Sequence, residues 1–258
     1  MYLVFPIFSC DFKPHDEDKN EQILSISCFL NEIQFSFPLS QNHKLVKTKV
    51  AGIRSVAKGV FVLSFVRNFS FTAGQVVAID LKPDGQPRLY SIASGDNESL
   101  IEILFDEKKN GMLTPFLSKL NAGDIIYVSE PFGTFRTDAG KGYWIASGTG
   151  IAPFISMVRS GLSEQKTLIH GGRLDESFYF SSLLENKLPE NKYIRCCSQQ
   201  EDTLYFKGRL TEWLKNNQPL ALNSKFYLCG SAEMVVQVRD ILISKGVPFK
   251  QIISETYF

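Results

Sequence analysis

The sequence predicts an antiparallel β-barrel followed by an α/β unit, whose five-stranded parallel sheet carries helices on both faces. Between residues 44 and 137 the chain consists mainly of short β-branched or aromatic runs, and Gly, Pro, Asn and Asp separate them. Short strands with such spacing are typical of a closed antiparallel barrel. After a short flexible linker at residues 138–142, strand-like and helix-like segments alternate. This alternation favours a parallel sheet covered on both faces.

The barrel region contains five strand-like runs and one helix-like run. We expect strands at residues 60–65, 75–81, 88–93, 100–105 and 125–130. Residues 112–120 place five apolar side chains on one side of a helix: Met112, Leu113, Phe116, Leu117 and Leu120. Before the barrel, residues 23–29 and 33–37 alternate like strands, but they carry no motif that points to chemistry.

The α/β region contains five strand-like and four helix-like segments. We expect strands at residues 143–146, 167–171, 192–197, 226–229 and 251–255, and helices at residues 151–160, 177–184, 210–216 and 232–245. The chain of 258 residues, 44% of them hydrophobic, is long enough for two cores. We therefore divide it into an N-terminal extension of unknown role (1–44), a barrel domain (45–138) and an α/β domain (142–258).

Composition argues against several classes of protein. The formal net charge is +1, which is not that of a dedicated nucleic-acid binder or a polybasic membrane-surface protein. An odd number of scattered cysteines favours a reducing cytoplasm over a disulfide scaffold, and no cysteine or histidine spacing predicts a metal site. No apolar run reaches the roughly 20 residues that span a bilayer. The apolar residues 1–10 lack the basic leader of a lipoprotein signal, so we interpret them as a strand, a tail or a misplaced start.

The first motif that carries chemistry is Arg88, Leu89, Tyr90 and Ser91. A flavin needs a guanidinium for its diphosphate, an aromatic face for its ring and a small hydroxyl near its N5 atom. Because side chains alternate along a strand, Arg88 and Tyr90 share one face, and Ser91 points the other way unless the strand ends there. The same residues are ordinary contents of a barrel strand, so this motif alone leaves both interpretations open.

The second motif, Gly111, Met112, Leu113 and Thr114, opens the helix-like run. The amide groups and the dipole at a helix start attract anions. Glycine allows a phosphate to approach closely, and the hydroxyl of Thr114 can donate a hydrogen bond. A plain helix boundary explains the same residues equally well.

The third motif extends from Trp144 to Pro153 and leads from a strand into a helix. A dinucleotide phosphate loop requires this context. The pattern is G-x-G-x-x-P, with Gly148, Thr149 and Gly150 in the loop. We therefore expect this loop to bind the diphosphate of a dinucleotide.

The last two motifs lie at the ends of later strands. Cys229, Gly230 and Ser231 again lead from a strand into a helix, and open α/β sheets bind ligands beyond the carboxyl ends of their strands. Cys229 is thus placed to touch a nicotinamide, although a small buried thiol is the alternative. The chain ends in residues that belong to an edge strand or lie over a cofactor, namely Glu255, Tyr257 and Phe258.

In this order and spacing, the five motifs resemble the ferredoxin–NADP reductase superfamily, and most of all its bacterial ferredoxin/flavodoxin–NADP reductases. The resemblance covers roughly residues 45–258. It implies that FAD is bound by residues 88–91 and 111–114, with Tyr90 against the flavin ring, Ser91 near N5, and Tyr257 and Phe258 at the second face. It also implies that NADP(H) is bound by Gly148, Thr149, Gly150, Pro153, Gly230 and Ser231, and that the catalytic residues are Ser91, Cys229 and Glu255.

The sequence departs from this family in two places. Many bacterial members end in Tyr-Trp, whereas this chain ends in Tyr-Phe. Where relatives often carry Ser-Arg for the coenzyme's 2′-phosphate, this chain has Ser198 and Gln199, so Arg173 and Arg209 remain as candidate cations. Loss of one bidentate guanidinium weakens the preference for NADPH over NADH.

The resemblance implies an enzyme that passes electrons between NADPH and a one-electron carrier, ferredoxin or flavodoxin, through FAD. We expect this carrier to bind transiently to a monomer, with no nucleic-acid or membrane partner. Two enzyme alternatives remain, the cluster-free reductase component of an oxygenase and a flavin or ferric-siderophore reductase. A non-catalytic NADP-binding module would need the Gly148 loop but not Arg88, Tyr90 or Phe258, and a flavin spectrum would exclude it.

Overall fold

The computed structural model describes residues 44–217 and 220–257, and of Tyr257 it describes the backbone alone. The two strand-like runs expected before residue 44 lie outside these residues. The described residues belong to one compact unit. The prediction of a barrel-like antiparallel sheet followed by a parallel α/β sheet is confirmed.

The antiparallel sheet has six strands in the order β4-β3-β6-β1-β2-β5. They are β1 (Val46–Ala57), β2 (Val60–Val66), β3 (Val76–Asp80), β4 (Arg88–Ser91), β5 (Leu100–Asp106) and β6 (Ile125–Val128). The prediction of a closed barrel is wrong, because β4 and β5 are edges joined by an isolated bridge between Ile92 and Ile103. Strand β4 has four residues, and the chain after it turns to pack Gly95 against Arg159.

The helix of the barrel region is shorter than the apolar pattern suggests. Helix α1 covers Thr114–Leu117, whereas the sequence predicts residues 112–120. The amides of Lys119 and Leu120 bond to carbonyls three residues back, so the chain continues as tight turns rather than as an α-helix. These turns still keep Leu113 and Leu117 buried in the barrel core.

The parallel sheet has six strands in the order β10-β9-β8-β7-β11-β12, so the predicted number of five is wrong. They are β7 (Gly142–Ser147), β8 (Lys166–Gly172), β9 (Tyr193–Cys197), β10 (Phe206–Lys207), β11 (Lys225–Ser231) and β12 (Ile252–Tyr257). The additional strand β10 has two residues, which pair with Cys196 and Cys197. A run this short has no recognisable periodicity.

Helices cover both faces of this sheet. They are α2 (Ala152–Arg159), α3 (Ser181–Lys187), α4 (Leu210–Asn216) and α5 (Ala232–Ser244). Helix α3 begins four residues later than predicted, because Asp175–Ser177 forms a 3-10 turn and Phe180 has a left-handed backbone with φ 60°. No helix in the described part of the chain is long and apolar enough to cross a membrane.

One hydrophobic cluster joins the two sheets. The ring of Phe135, which follows the barrel, lies 5.7 Å from Phe154 of α2 and 5.9 Å from Tyr227 of β11. The hydroxyl of Ser156 donates to the carbonyl of Ser94 at 2.7 Å. Helix α2 is therefore held between the barrel and the parallel sheet, and this fixes the end of β4 relative to the ends of β7 and β11.

The linker between the two sheets is held by lysines. The ammonium of Lys166 is buried and donates to the carbonyls of Asp138, at 2.7 Å, and Gly140. Burial lowers the pKa of Lys166, and the hydrogen bond from Lys225 lowers the pKa of Asp138. The segment predicted to be a flexible linker is thus bonded to the start of the parallel sheet.

Candidate functional site

The carboxyl ends of three neighbouring strands form the floor of the site. Ala146 of β7, Cys229 of β11 and Glu255 of β12 lie side by side in register. Ala146 and Cys229 belong to the hydrophobic cluster that faces the barrel, and Ile253 packs against it. Because side chains alternate along a strand, Glu255 faces the barrel as Ile253 does.

A hydrogen bond connects this floor to the barrel. The hydroxyl of Ser91, the last residue of β4, donates to the carboxylate of Glu255 at 2.5 Å. Ser91 is 2% exposed and Glu255 is 7% exposed, so the pair lies away from bulk water. The structure thus brings together all three residues that the sequence analysis placed in the catalytic group. The Ser91–Glu255 bond itself was not foreseen.

Two glycines allow the loops at this edge to touch. A Cβ on Gly150 would lie 2.4 Å from the carbonyl oxygen of Cys229 and 2.6 Å from the Cα of Gly230. A Cβ on Gly230 would lie 2.5 Å from the Oγ of Ser147. The predicted dinucleotide loop and the predicted nicotinamide-side motif are therefore in backbone contact.

The dinucleotide loop follows the predicted order of strand, loop and helix. Gly148 has a positive φ of 55° and starts a 3-10 turn, Gly148–Ile151, that runs directly into α2. Thr149 lies within this turn, and Pro153 is buried in the first turn of α2. On the neighbouring loop, the Oγ of Ser231 accepts the amide of Met234 at 3.3 Å and caps α5.

The flavin motif lies on the edge strand of the barrel. Tyr90 is opposite Val77, and its ring is edge-on to Phe105 at 6.2 Å, so it packs at the seam between the edge strands β4 and β5. Burial raises the pKa of Tyr90 well above its ordinary value. Arg88 is exposed and forms no ion pair with any described residue, and Leu89 is exposed as well.

The second motif of the barrel forms a small closed loop. The amide of Lys108 donates to the Oγ1 of Thr114 at 2.9 Å, and the amide of Gly111 donates to the carbonyl of Lys108 at 2.7 Å. Met112 is exposed, whereas Leu113 is buried in the barrel core. This motif precedes a single helical turn and does not open the longer helix that the sequence suggests.

The candidate residues for a coenzyme phosphate lie at the ends of β8 and β9 and at the start of α4. Arg173 is exposed, and the Oγ of Ser198 donates to the carbonyl of Gly172 at 3.2 Å. The guanidinium of Arg209 lies 3.8 Å from the carboxylate of Glu233. This acidic neighbour was missed by the sequence analysis, because Glu233 is 24 positions away on another helix.

Two predictions fall partly outside the described residues. The backbone of Tyr257 ends β12 opposite Ser231, but its side chain and all of Phe258 are outside them. Among the described residues, no group of three or more His, Cys, Asp or Glu could hold a metal ion. Since two of the five cysteines, Cys10 and Cys28, are not described, the absence of a metal site stays a prediction.

The residues present fit a flavin and a dinucleotide. Gly148 has a positive φ, and no atom of the described residues lies within 4 Å of the place that a Cβ would take, so the backbone of this loop is open to a diphosphate. The exposed guanidinium of Arg88 can bind a second diphosphate. Between these two positions lies the buried Ser91–Glu255 pair, where the reactive rings of both cofactors would meet.

Comparisons with known proteins agree with this geometry. Residues 43–137 match the oxidoreductase FAD-binding domain, and residues 144–240 match the oxidoreductase NAD-binding domain. The ferredoxin–NADP reductase of Azotobacter vinelandii is 30% identical over 219 residues, which are 73% of this chain and 85% of the relative. The toluate 1,2-dioxygenase electron transfer component of Pseudomonas putida is 25% identical, over 77% of this chain and 63% of that protein.

A solved structure shows the same fold. A ferredoxin NADP+ reductase from Neisseria gonorrhoeae with bound FAD and NADP superposes with a TM-score of 0.75 at 22% identity, covering 83% of this chain and 99% of that one. The ferredoxin–NADP reductase of Pseudomonas aeruginosa is also 30% identical, over 69% of this chain and 80% of its own length. The chain therefore belongs to the ferredoxin–NADP reductase family and is a flavin-dependent oxidoreductase with an FAD-binding and an NAD-binding domain.

Proposed function

We propose that this protein passes electrons between NADPH and a one-electron carrier, ferredoxin or flavodoxin, through bound FAD. The observation that carries the proposal is the hydrogen bond between Ser91 and Glu255, which joins the flavin-side strand to the nicotinamide-side strands. The relatives from Azotobacter vinelandii and Pseudomonas aeruginosa are ferredoxin–NADP reductases, and this supports ferredoxin as the carrier.

We assign FAD to the barrel edge. Arg88 would hold the diphosphate together with the loop at residues 111–114, and Tyr90 and Leu89 would lie against the flavin. Phe258 would cover its other face from the end of β12. When bound, FAD supplies the ability to take two electrons from a nicotinamide and to release them one at a time, which nicotinamide cannot do.

Three residues would organise the meeting point of the cofactors. Ser91 holds the carboxylate of Glu255 in one orientation, and the burial of both excludes water from the position where a proton must be held. Cys229 is beside Glu255 on the floor and would set the depth to which a nicotinamide enters. Gly148 leaves open space beside the loop that would hold the diphosphate of the same coenzyme.

The preference for NADPH would depend on Arg173 and Arg209. A charged hydrogen bond contributes about 1.5–3 kcal/mol, so one such bond, or two at the lower end of this range, gives an expected preference of roughly 10- to 200-fold over NADH. The ion pair of Arg209 with Glu233 favours the lower part of this range. Equal kcat/KM values for the two coenzymes, or an unchanged ratio in Arg209→Ala, would refute the assignment.

A second candidate is the reductase component of an oxygenase. It is favoured by relatives such as the toluate 1,2-dioxygenase component of Pseudomonas putida and the propane 2-monooxygenase reductase component of Rhodococcus jostii. This chain covers 63% of each of those two proteins. The two candidates differ in their acceptor, and not in how the coenzyme and FAD are held.

The proposal can be tested with the purified protein. A visible spectrum shows whether flavin is bound, and chromatography of the heat-released chromophore separates FAD from FMN. NADPH-dependent reduction of ferredoxin or flavodoxin is then followed, with Ser91→Ala as the matched variant. We expect FAD and rapid carrier reduction that Ser91→Ala slows. Pure FMN, or failure to reduce either carrier while ferricyanide is reduced, would overturn the proposal.

A further inference from the structure

We propose that Asp175, Gln200 and Thr203 form a latch that holds Arg173 and Ser198 in position to receive the 2′-phosphate of the coenzyme. They are positioning residues that make no contact with the coenzyme themselves. The inference rests on the coenzyme assignment of the proposed function and goes beyond it, because it concerns what makes the phosphate subsite rigid.

The backbone connects the two loops that carry the subsite. The amide of Ser198 donates to the carbonyl of Gly172 at 3.0 Å, and the amide of Gln199 donates to the carbonyl of Arg173 at 2.9 Å. The thiol of Cys197 also lies 3.2 Å from the carbonyl of Arg173. Strands β8 and β9 are therefore still joined where their paired residues end.

Farther from the sheet, the side chains of the latch connect the two loops by hydrogen bonds. The amide of Asp175 donates to the Oε1 of Gln200 at 2.9 Å, and the Nε2 of Gln200 donates back to the Oδ2 of Asp175 at 3.1 Å. The hydroxyl of Thr203, which is buried, donates to the Oδ1 of Asp175 at 2.6 Å. Both carboxylate oxygens of Asp175 thus accept hydrogen bonds from the neighbouring loop.

Aromatic packing supports the same connection. The Oγ1 of Thr203 accepts the amide of Tyr205 at 3.2 Å. The ring of Tyr205 is edge-on to Phe178 at 5.3 Å, and the guanidinium of Arg195 lies 3.8 Å above it. The loop after β9 is therefore anchored against the loop after β8 by a polar contact and by an apolar one.

The orientation of the Asp175 carboxylate explains why it does not oppose phosphate binding. An acidic residue two positions from Arg173 would repel an anion if it faced the same solvent. Its oxygens are instead turned to Gln200 and Thr203, while Arg173 is exposed and forms no ion pair with a described residue. A guanidinium on an ordered loop loses less conformational freedom on binding than one on a free loop. Gln199 stands where relatives often have arginine. The preference for NADPH over NADH therefore depends on the ordered loop that carries Arg173.

The test removes the latch in two ways, and the substitution of Thr203 does so without changing charge. Thr203→Val keeps the size of the side chain but loses the hydroxyl, and Thr203→Ser keeps the hydroxyl. Asp175→Ala removes the acceptor and one negative charge, and Asp202→Ala is its charge-matched control, because Asp202 is an exposed acid on the loop of Thr203 with no hydrogen bond to a described residue. The readouts are kcat/KM for NADPH and NADH with ferricyanide, the calorimetric Kd of adenosine 2′,5′-bisphosphate and AMP, and the melting temperature.

We expect Thr203→Val and Asp175→Ala to weaken NADPH use and bisphosphate binding about tenfold, through KM, which corresponds to about 1.4 kcal/mol. NADH use and AMP binding should change by less than about twofold, and Thr203→Ser and Asp202→Ala should match the wild type. Equal losses for both coenzymes, or no loss for either, would overturn the latch. These outcomes differ from failure of the proposed function, which a wild type without NADPH preference or without carrier reduction would show.

Discussion

Gly150→Ala tests the contact between the two loops at the centre of the site. The new Cβ would lie 2.4 Å from the carbonyl oxygen of Cys229 and 2.6 Å from the Cα of Gly230. Both are backbone atoms, so no change of side-chain rotamer can relieve the overlap, and the end of β11 must move. Overpacking of this kind costs about 1–3 kcal/mol. At about 2–4 °C per kcal/mol for a domain of this size, the melting temperature should fall by about 2–12 °C.

The matched control is Gly52→Ala in β1, where the new Cβ would be 3.6 Å from the nearest atom, the Oγ of Ser64. Replacing glycine at such a site restricts the unfolded chain and stabilises by about 0.4–1 kcal/mol. Thermal unfolding of both variants is compared with stopped-flow reduction of the flavin by NADPH. Gly150→Ala should also lower kcat/KM, because Cys229 and Gly230 are displaced. Wild-type stability and kinetics in Gly150→Ala would refute the packing of these loops.

Three other residues can be tested by single substitutions. Glu233→Gln should raise the ratio of kcat/KM for NADPH over NADH about two- to fivefold, because it releases Arg209 from an exposed ion pair; an unchanged ratio would remove Arg209 from the subsite. Burial, with the charge of Arg195, lowers the pKa of His170 to about 3. The unfolded chain therefore binds a proton below about pH 6.5 that the native state does not bind. The free energy of unfolding therefore decreases as the pH falls from about 6.5 towards 3. Relative to His170→Gln, the wild type should lose about 2 kcal/mol between pH 7 and pH 5 in urea unfolding, and parallel curves would contradict this. Phe258→Ala should tighten nicotinamide binding and speed oxidation of the reduced flavin by oxygen; a loss of about 3–5 kcal/mol of stability with unaltered coenzyme affinity would instead mark the ring as part of a core.

Elements with a strong local pattern were predicted well. Helix α4 was expected at residues 210–216 and is found at Leu210–Asn216, because Leu210 and Leu214 are buried one turn apart. Strand β1 was missed as a separate element. Its regular pairing is shifted between Val50 and Gly52, and one of its buried positions is Thr48, so apolar and polar residues do not alternate cleanly.

Local pattern could place the three predicted catalytic residues at strand ends, but it could not predict their mutual geometry. Motif order placed Ser91, Cys229 and Glu255 at strand ends, and strand ends can be located from local pattern. The bond between Ser91 and Glu255 joins residues 164 positions apart, and it depends on how helix α2 holds the barrel against the parallel sheet. No periodicity or local motif contains that information.

The same limit applies more strongly to coenzyme preference. Sequence analysis counts the cations near a phosphate subsite, and on that count Arg173 and Arg209 are equivalent. The structure makes them different, because Arg209 faces Glu233 at 3.8 Å, whereas Arg173 follows a strand whose loop is bonded to the next one. An exposed ion pair must be given up when a phosphate binds, but an ordered loop loses little freedom. Arg173 should therefore contribute more to NADPH preference than Arg209, and a larger fall in the NADPH/NADH ratio for Arg209→Ala than for Arg173→Ala would show that this ranking is wrong.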